Sequence, residues 1–326
     1  MIAASQSLWL DVLLVAAGIA LLAGGGEALI RGALAIARRL GISPLLTGLV
    51  IVGFGTSMPE LAVSVDATLA GTPDIAIGNV VGSNIGNILF ILGLCAVITP
   101  LAVSPVALRR DSLVVIAASG LFVLVAWGGV VARLEGVLLL TLLATYVGWT
   151  YWQERAKAGP PAELHQQEGQ AIEAVPHRWP VAVLLLVAGL GLLILGAQLL
   201  VQGAQSLARE AGLSEAAIGL TVVAIGTSLP ELSVSVMAAT RRQGDVAIGN
   251  ILGSNIFNVL GILGVAAITS PLAVGERMAS FDQWVMLGSA VLLLVFLATR
   301  RRLGRVEGGL LLVGYAGYVG ASFLVM

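Results

Sequence analysis

The sequence is poor in charge, in cysteine and in histidine. Asp, Glu, Lys and Arg make up 11% of the 326 residues, whereas hydrophobic residues make up 58%, and the mean hydropathy is +1.00. Because soluble domains carry about 25% charged residues, this composition excludes that class. The one cysteine, Cys95, excludes a disulfide framework, and its apolar neighbours indicate a small packing residue. The two histidines, His165 and His177, lie in one polar segment.

Apolar runs that are long enough to cross a bilayer recur along the whole chain. A helix of about 20 apolar residues spans the hydrocarbon core, and we identify ten such runs. We therefore expect an all-α polytopic membrane protein with ten transmembrane helices. The predicted spans are residues 8–37, 43–69, 74–99, 110–128, 133–152, 180–209, 214–239, 245–270, 282–300 and 306–325.

The basic residues predict how these helices are oriented. If the N-terminus lies outside, 14 of the 17 Lys and Arg residues fall on one face, and the other face receives only Arg133, Arg209 and Arg277. Because cytoplasmic loops carry an excess of Lys and Arg, the face with 14 basic residues is the cytoplasmic one. We therefore expect both termini outside and the mid-chain segment in the cytoplasm.

The chain contains an internal repeat at an offset of 171 residues. Residues 53–103 and 224–274 align without gaps and are identical at 29 of 51 positions. Each copy belongs to a half with five predicted spans, and an odd number of spans inverts the second copy in the membrane. The expected organisation has three parts: a first five-helix repeat (1–152, motifs in 53–93), a cytoplasmic linker (153–179) and an inverted second repeat (180–326, motifs in 224–264).

The linker itself is polar and rich in Pro, Gln and Glu. This composition favours a solvated tether, with a regulatory ion sensor as the alternative.

Most of the 18 acidic residues can be assigned to helix ends and loops. Asp74 and Asp245 precede apolar runs as expected of helix N-caps, Glu27 is spaced for an i,i+4 pair with Arg31, and Asp66 is expected near a helix end. Two acids remain in the middle of predicted spans. They are Glu60 in GTSMPE (55–60) and Glu231 in GTSLPE (226–231). Since an acid at the bilayer centre costs roughly 2.5–3.5 kcal/mol, we expect a function for both.

The neighbours of the two glutamates indicate what they hold. Pro59 and Pro230 remove a backbone donor and leave a carbonyl unpaired one turn earlier, which inside a bilayer needs protein, water or a cation. A simple proline kink is the alternative interpretation, but a kink needs no carboxylate. The hydroxyl residues within one turn are Thr56, Ser57, Thr227 and Ser228, and the small residues that permit close approach include Gly53 and Ala224.

A second duplicated motif supplies further oxygen atoms. In GSNIGN (82–87) and GSNIFN (253–258), a serine and an asparagine are spaced i,i+4 and so share one helix face. These candidate ligands are Ser83, Asn87, Ser254 and Asn258. The remaining asparagines of the region, Asn79, Asn84, Asn250 and Asn255, are interpreted as structural, bonding between helices. Carboxylate, hydroxyl and amide oxygens suit Ca²⁺ and Na⁺, whereas zinc or copper would favour His or Cys.

The ordered, duplicated pair GTSMPE–GNVVGSNIGN and GTSLPE–GNILGSNIFN resembles the two α-repeats of the Ca²⁺:cation antiporter superfamily, specifically the prokaryotic sodium/calcium exchangers. The resemblance implies that helices two, three, seven and eight surround the ions and that helices one and six slide across them. It implies that Glu60 and Glu231 are the central ligands, and that Thr56 and Thr227 complete the Ca²⁺ site. The flanking Na⁺ sites would be lined by Ser57, Ser83, Ser228 and Ser254 with the backbone of Gly53 and Ala224.

One position departs from the pattern of that family. Its members often carry Asp where this chain has Asn258, beside an Asn that matches Asn87. The central site then has two formal charges instead of three, which leaves the stoichiometry open. It also leaves Na⁺, H⁺ and K⁺ open as coupling ions, with Na⁺ favoured because a motif typical of proton/calcium exchangers is missing.

The expected function is secondary antiport of Ca²⁺ against Na⁺ by alternating access in a prokaryotic inner membrane, normally extruding Ca²⁺. The alternatives are Ca²⁺/H⁺ or K⁺-coupled antiport and, from another class, a cation channel. An intramembrane hydrolase lacks a nucleophile with a partner, so we expect no enzyme and no cofactor. The expected partners are Ca²⁺ and Na⁺ as substrates and the lipid bilayer, without nucleic acid, for a monomeric protein.

Overall fold

The structure, a computed structural model, describes residues 2–103, 105–156, 178–211 and 226–324. Most of the predicted linker and the first part of the predicted seventh span lie outside these ranges. The helices are α1 (Ile2–Leu40), α2 (Pro44–Thr56), α3 (Met58–Leu69), α4 (Pro73–Ile98), α5 (107–126), α6 (Arg133–Ala156), α7 (Trp179–Glu210), α8 (Leu229–Thr240), α9 (Gly244–Thr269), α10 (278–300) and α11 (Arg305–Leu324).

Six of the described helices are long and apolar enough to cross a membrane. They lie within α1, α4, α6, α7, α9 and α10, and the bent pair α2–α3 makes a seventh if it is one span. The two members of that pair meet at an angle of 42°. The chain is therefore a helical membrane protein, as the composition predicts.

All six tryptophans of the chain are exposed and lie within seven residues of a helix end. They are Trp9, Trp127, Trp149, Trp152, Trp179 and Trp284, and between 43% and 79% of each is accessible. An indole has an apolar body and a polar N–H, so tryptophan concentrates where hydrocarbon meets water.

The helices divide into a buried centre and a periphery. Of the 18 most apolar consecutive residues of α9, 89% are buried, and in α4 the share is 67%. In α1 and α7 only 22% and 28% of the corresponding residues are buried. Every residue from Val246 to Ile256 of α9 is buried. The second sequence motif of each repeat therefore lies at the centre of the molecule.

The peripheral helices α1 and α7 pack against each other through glycines. A Cβ added at Gly18 would lie 2.7 Å from the carbonyl oxygen of Gly196, and one added at Gly25 would lie 2.9 Å from that of Gly189. At Gly32 the corresponding atom is the carbonyl oxygen of Ala182, at 2.8 Å. The contacts run in opposite directions along the two helices at seven-residue intervals, so α1 and α7 form one antiparallel, tightly packed pair.

Glycines also bring α2 and α9 into backbone contact. A Cβ at Gly48 would lie 2.7 Å from the carbonyl oxygen of Val246, and one at Gly53 would lie 2.8 Å from that of Asn250. From the other side, Gly253 packs directly on the Leu49 carbonyl. This approach brings short hydroxyl side chains of one helix within reach of the backbone of the other.

Both central helices change to π-helical winding at the second motif. In α4 the π segment is Asn87–Leu92, and in α9 it is Phe257–Ile262. Such segments often occur at functional sites because they shift the register of side chains. Here they carry Asn87 and Asn258.

Four short strands join the helix ends. β1 (Leu101–Ala102) pairs antiparallel with β4 (Arg302–Leu303), and β2 (Val130–Val131) pairs with β3 (Leu272–Ala273). Each pair therefore ties one half of the sequence to the other.

The prediction that Asp74 and Asp245 cap α4 and α9 is wrong. The N-caps are Thr72 and Gln243, and both acids lie in the first turn. In α4 the helix begins at Pro73, whose fixed φ suits the first helical position. An acid inside the first turn still interacts favourably with the helix dipole.

The glycine contact between α1 and α7 predicts different effects for two nearby substitutions. Gly189→Ala would place a Cβ 2.8 Å from the Gly25 carbonyl oxygen, whereas a Cβ at Gly191 meets nothing within 4 Å. Overpacking costs about 1–3 kcal/mol, so we expect Gly189→Ala to lower the melting temperature of the detergent-purified protein and Gly191→Ala to leave it unchanged. Equal melting temperatures for the two variants would contradict the close packing.

Candidate ion-binding site

Each of the two glutamates follows a break in its helix. The winding that ends at Thr56 is interrupted at Ser57, which has φ −83° and ψ 8°, and α3 then begins with Pro59 in its first turn. The second copy has the same break at Ser228, with φ −88° and ψ 9°, before α8. Because these residues lie in a sparsely populated backbone region, the helix cannot continue straight through them. Glu60 and Glu231 follow directly and are 0% and 1% exposed.

The two breaks face each other and exchange hydrogen bonds. Ser57 donates its hydroxyl to Oε1 of Glu231 at 2.9 Å, and Ser228 donates its hydroxyl to Oε1 of Glu60 at 3.2 Å. Each serine therefore serves the glutamate of the other motif, not the one in its own helix. The two carboxylates consequently belong to one site.

Hydroxyl groups flank the carboxylates on both sides. On one side Ser254 donates to the carbonyl oxygen of Gly53 at 3.1 Å and lies 3.4 Å from Oε1 of Glu231. Thr56 lies 3.3 Å from the same Gly53 carbonyl. On the other side the hydroxyls of Ser83 and Ser228 are 3.4 Å apart.

Two predicted site residues are less well defined by contacts. Thr227 is half-buried and faces the Glu60 carboxylate. Ala224 lies outside the described residues.

The backbone carbonyl of each glutamate accepts a hydrogen bond from an asparagine, which also donates to a serine, and we predicted none of these four residues as site residues. Asn79 donates to the Glu60 carbonyl oxygen at 3.1 Å and to Ser64 at 2.9 Å. Asn250 makes the equivalent bonds to the Glu231 carbonyl oxygen at 3.3 Å and to Ser235 at 2.9 Å. The interpretation of these asparagines as bonding between helices is confirmed. Ser64 and Ser235 occupy equivalent positions of the repeat, and both are serine. This identity between the two copies is the signal from which they could have been predicted as site residues.

Four buried oxygen atoms at the motifs have no hydrogen-bond donor among the described residues. They are Oε2 of Glu60, Oε2 of Glu231, Oδ1 of Asn87 and Oδ1 of Asn258. Burying an acceptor without a donor costs about 1–3 kcal/mol, and more if it is charged. Carboxylate and amide oxygens of this kind are the ligands that a hard cation such as Ca²⁺ accepts.

Neither glutamate has a basic partner in the described part of the chain. The ion pairs there join Glu27 to Arg31 and Arg241, and join Arg110–Asp111 and Arg277–Asp282. Residues 212–225, which the structure does not describe, contain no Lys, Arg or His. The described residues and residues 212–225 therefore supply no positive charge for the two buried carboxylates, and a bound cation or protons would balance them.

The other acids of interest lie apart from this site. The predicted pair of Glu27 with Arg31 is confirmed, and Arg241 at the end of α8 also binds Glu27 at 2.7 Å. Asp66 is exposed near the end of α3.

Comparison with known proteins shows the family to which the chain belongs. A family model described as "Sodium/calcium exchanger protein" matches residues 10–152 and 181–324, which is most of the chain. The chain belongs to the sodium/calcium exchanger protein family. Membership confirms the resemblance inferred from the motifs, and it confirms that the protein is a transporter, not an enzyme.

Relatives and a solved structure extend this similarity over almost the whole chain. The sodium/calcium exchanger MaX1 of Methanosarcina acetivorans is 30% identical over 350 residues, covering 97% of this chain and 99% of its own length. The inner membrane protein YrbG of Escherichia coli (strain K12) is 34% identical over 304 residues, covering 93% of both. A structure of the sodium-calcium exchanger NCX_Mj, soaked with zero Na⁺ and Ca²⁺, matches with a TM-score of 0.82 and 32% identity, covering 96% of this chain and 99% of that chain.

The unsatisfied oxygens predict that Ca²⁺ stabilises this exchanger. A ligand that binds only the folded state adds about 2.7 kcal/mol at 100 times its Kd, so Ca²⁺ should raise the melting temperature of the detergent-purified protein. Glu60→Gln and Glu231→Gln should each remove most of this increase. Asp66→Asn, which changes an exposed acid, is the matched control and should respond like the wild type. The same Ca²⁺-induced increase in all four proteins would exclude these glutamates as ligands.

Proposed function

We propose that the protein exchanges Ca²⁺ for Na⁺ by alternating access at a site formed by Glu60 and Glu231, and that it normally extrudes Ca²⁺. The observation that carries this proposal is the pair of fully buried carboxylates, each of which has no basic partner and one unsatisfied oxygen among the described residues. Transport of Ca²⁺ and other cations fits the family to which the chain belongs.

The proposed architecture is ten transmembrane helices arranged as two inverted five-helix repeats around a cytoplasmic linker. The repeat of 171 residues supports this arrangement. The π segments Ala107–Asp111 and Met278–Asp282, which recur at the same offset, support it as well. The distribution of Lys and Arg supports both termini outside, and the similarity to the inner membrane protein YrbG supports an inner membrane.

In the proposed mechanism, Ca²⁺ binds between the two carboxylates, and oxygens of Thr56 and Thr227 complete its coordination. Two carboxylates neutralise the charge of one Ca²⁺. Na⁺ ions, which carry a single charge each, could instead divide the same oxygen ligands between them. The amide oxygens of Asn87 and Asn258 contribute neutral oxygens to the centre of the site.

Na⁺ would occupy two flanking positions next to the glutamates. One is formed by Ser57, Ser254 and the backbone of Gly53. Both serine hydroxyls contact Oε1 of Glu231, and Ser254 also donates to the carbonyl oxygen of Gly53. The other is formed by Ser83, Ser228 and the backbone of Ala224, next to Glu60. Because both positions use the carboxylates that bind Ca²⁺, occupation by Na⁺ would exclude Ca²⁺. Mutually exclusive binding is what exchange through a shared site requires.

We propose that α1 and α7 move together during alternating access. Their glycine contacts make them one packed pair, and most of their surface is not buried against the rest of the molecule. A rigid pair at the periphery can slide across a fixed centre without breaking the serine–glutamate bonds.

The neutral amide at position 258 favours Na⁺ over H⁺ as the coupling ion. An amide does not titrate, so neither Asn87 nor Asn258 can carry a proton through the cycle. Two carboxylates remain as the titratable ligands, which keeps H⁺- and K⁺-coupled antiport as the alternatives to be tested.

Transport by reconstituted protein tests the proposed site. In proteoliposomes an outward Na⁺ gradient should drive uptake of ⁴⁵Ca²⁺, and Glu60→Gln or Glu231→Gln should nearly abolish it because each removes one of the two charges that bind Ca²⁺. Asp66→Asn should retain wild-type uptake. Wild-type rates in both glutamine variants would show that these residues do not take part in transport.

Gradients imposed one at a time test the coupling ion. We expect Ca²⁺ flux to follow a Na⁺ gradient at constant pH and K⁺, and to respond little to a pH gradient without Na⁺. Flux driven equally well by a pH or a K⁺ gradient alone would replace Na⁺ coupling by the corresponding alternative. Ca²⁺ flux that needs no counter-ion at all would indicate a channel.

A further inference from the structure

Four asparagines of α4 and α9 form a hydrogen-bonded cluster with the symmetry of the repeat. Asn84 donates to the carbonyl oxygen of Asn255 at 3.1 Å, and Asn255 donates to the carbonyl oxygen of Asn84 at 3.3 Å. Asn258 donates to Oδ1 of Asn84, and Asn87 donates to Oδ1 of Asn255, both at 3.0 Å. All four side chains are at most 1% exposed, so water does not compete for these bonds.

The cluster allows only one orientation of the amides. If the side chain of Asn255 were rotated by 180°, its oxygen would face the carbonyl oxygen of Asn84, and two acceptors would meet. The NH₂ group of Asn255 must therefore face that carbonyl, and its oxygen must face Asn87. Asn87 consequently presents its own NH₂ group to Asn255 and its oxygen in the other direction. The same reasoning, with the halves exchanged, applies to Asn84 and Asn258.

The oxygens that are turned away from the cluster are unsatisfied. Oδ1 of Asn87 and Oδ1 of Asn258 have no donor among the described residues. Each asparagine lies four residues after a serine of the site, Asn87 after Ser83 and Asn258 after Ser254. Ser83 contacts Ser228, and Ser254 contacts Glu231. The i,i+4 spacing thus places each asparagine on the same helix face as a serine that contacts the site.

We propose that Asn84 and Asn255 are positioning residues that set the ion site to accept cations. They do not bind the ion. They hold the NH₂ groups of Asn258 and Asn87 away from it, so that the site presents only acceptor oxygens. The inference rests on the proposed function, since it assigns these two residues a part in Ca²⁺ binding at the same site.

The geometry assigns each positioning residue to one amide. The side chain of Asn84 accepts from Asn258, whereas the bond that orients Asn255 uses the backbone carbonyl of Asn84. Asn84→Ala therefore releases Asn258 and leaves the orientation of Asn87 intact. By the same reasoning, Asn255→Ala releases Asn87 and leaves Asn258 oriented.

Two double-mutant cycles test this assignment. The readout is the Ca²⁺ concentration that gives half-maximal thermal stabilisation of the purified protein, together with the KM for Ca²⁺ in proteoliposomes. Loss of a group that orients a metal ligand typically weakens affinity about 10–100-fold, so we expect that effect for Asn84→Ala alone. In an Asn258→Ala background the change should add little, because the amide that it orients is gone. In an Asn87→Ala background it should retain its full effect.

The outcomes separate positioning from packing and from the proposed function. If Asn84→Ala has the same effect in both backgrounds, the residue only joins α4 to α9, and the inference fails. If the wild type binds and transports Ca²⁺ while the cycles are additive, the inference fails and the proposed function stands. A wild type that neither binds nor transports Ca²⁺ overturns both. If Asn84→Ala does not yield folded protein, Asn255→Ala in the Asn87→Ala and Asn258→Ala backgrounds decides the question with the expectations exchanged.

Discussion

Two carboxylates buried in an apolar core, with no basic partner in the part of the chain that the structure describes, set the conditions that the rest of this structure meets. Glu60 and Glu231 are almost completely shielded from solvent, and a buried charge is stable only if it is paired and hydrogen-bonded. The protein supplies hydrogen bonds to one oxygen of each carboxylate from a serine of the opposite motif. The other oxygen has no hydrogen-bond donor among the described residues. In the proposed function a bound cation supplies the counter-charge that the described side chains do not supply.

The helix breaks and the glycines follow from the same requirement. A straight helix would direct its hydroxyls and its glutamate along one surface, whereas the breaks at Ser57 and Ser228 let each motif reach the other. Short side chains such as Ser254 reach the Gly53 carbonyl only because α2 and α9 are in backbone contact. Bulkier residues at Gly53 or Gly253 would separate the helices and leave these hydroxyls out of reach.

Much of this could be predicted from sequence, because hydropathy and the repeat are strong signals. The predicted spans 74–99 and 245–270 agree with Pro73–Ile98 and Gly244–Thr269 to within one residue. The two glutamates stood out because carboxylates are rare in apolar runs. The predicted helix N-caps Asp74 and Asp245 were each wrong by two residues, since a proline and tertiary contacts decide where a helix begins.

Contacts between the halves could not be predicted, because they depend on how the helices pack. The spacing of Ser57 suggests a role beside Glu60 in its own helix, yet it binds Glu231. The pairing of Arg241 with Glu27 requires the end of α8 to lie against α1, which no local pattern indicates. The amide orientations of Asn87 and Asn258 likewise depend on backbone carbonyls of the partner helix.

The central claim is that one Ca²⁺ binds between the two unpaired carboxylates. Anomalous diffraction from crystals of this protein soaked in Ca²⁺ or Sr²⁺ tests it most directly. Our account predicts an anomalous peak at about 2.3–2.6 Å from a carboxylate oxygen of both Glu60 and Glu231. A fully occupied peak elsewhere, with these carboxylates unliganded in a protein that transports Ca²⁺, would contradict it.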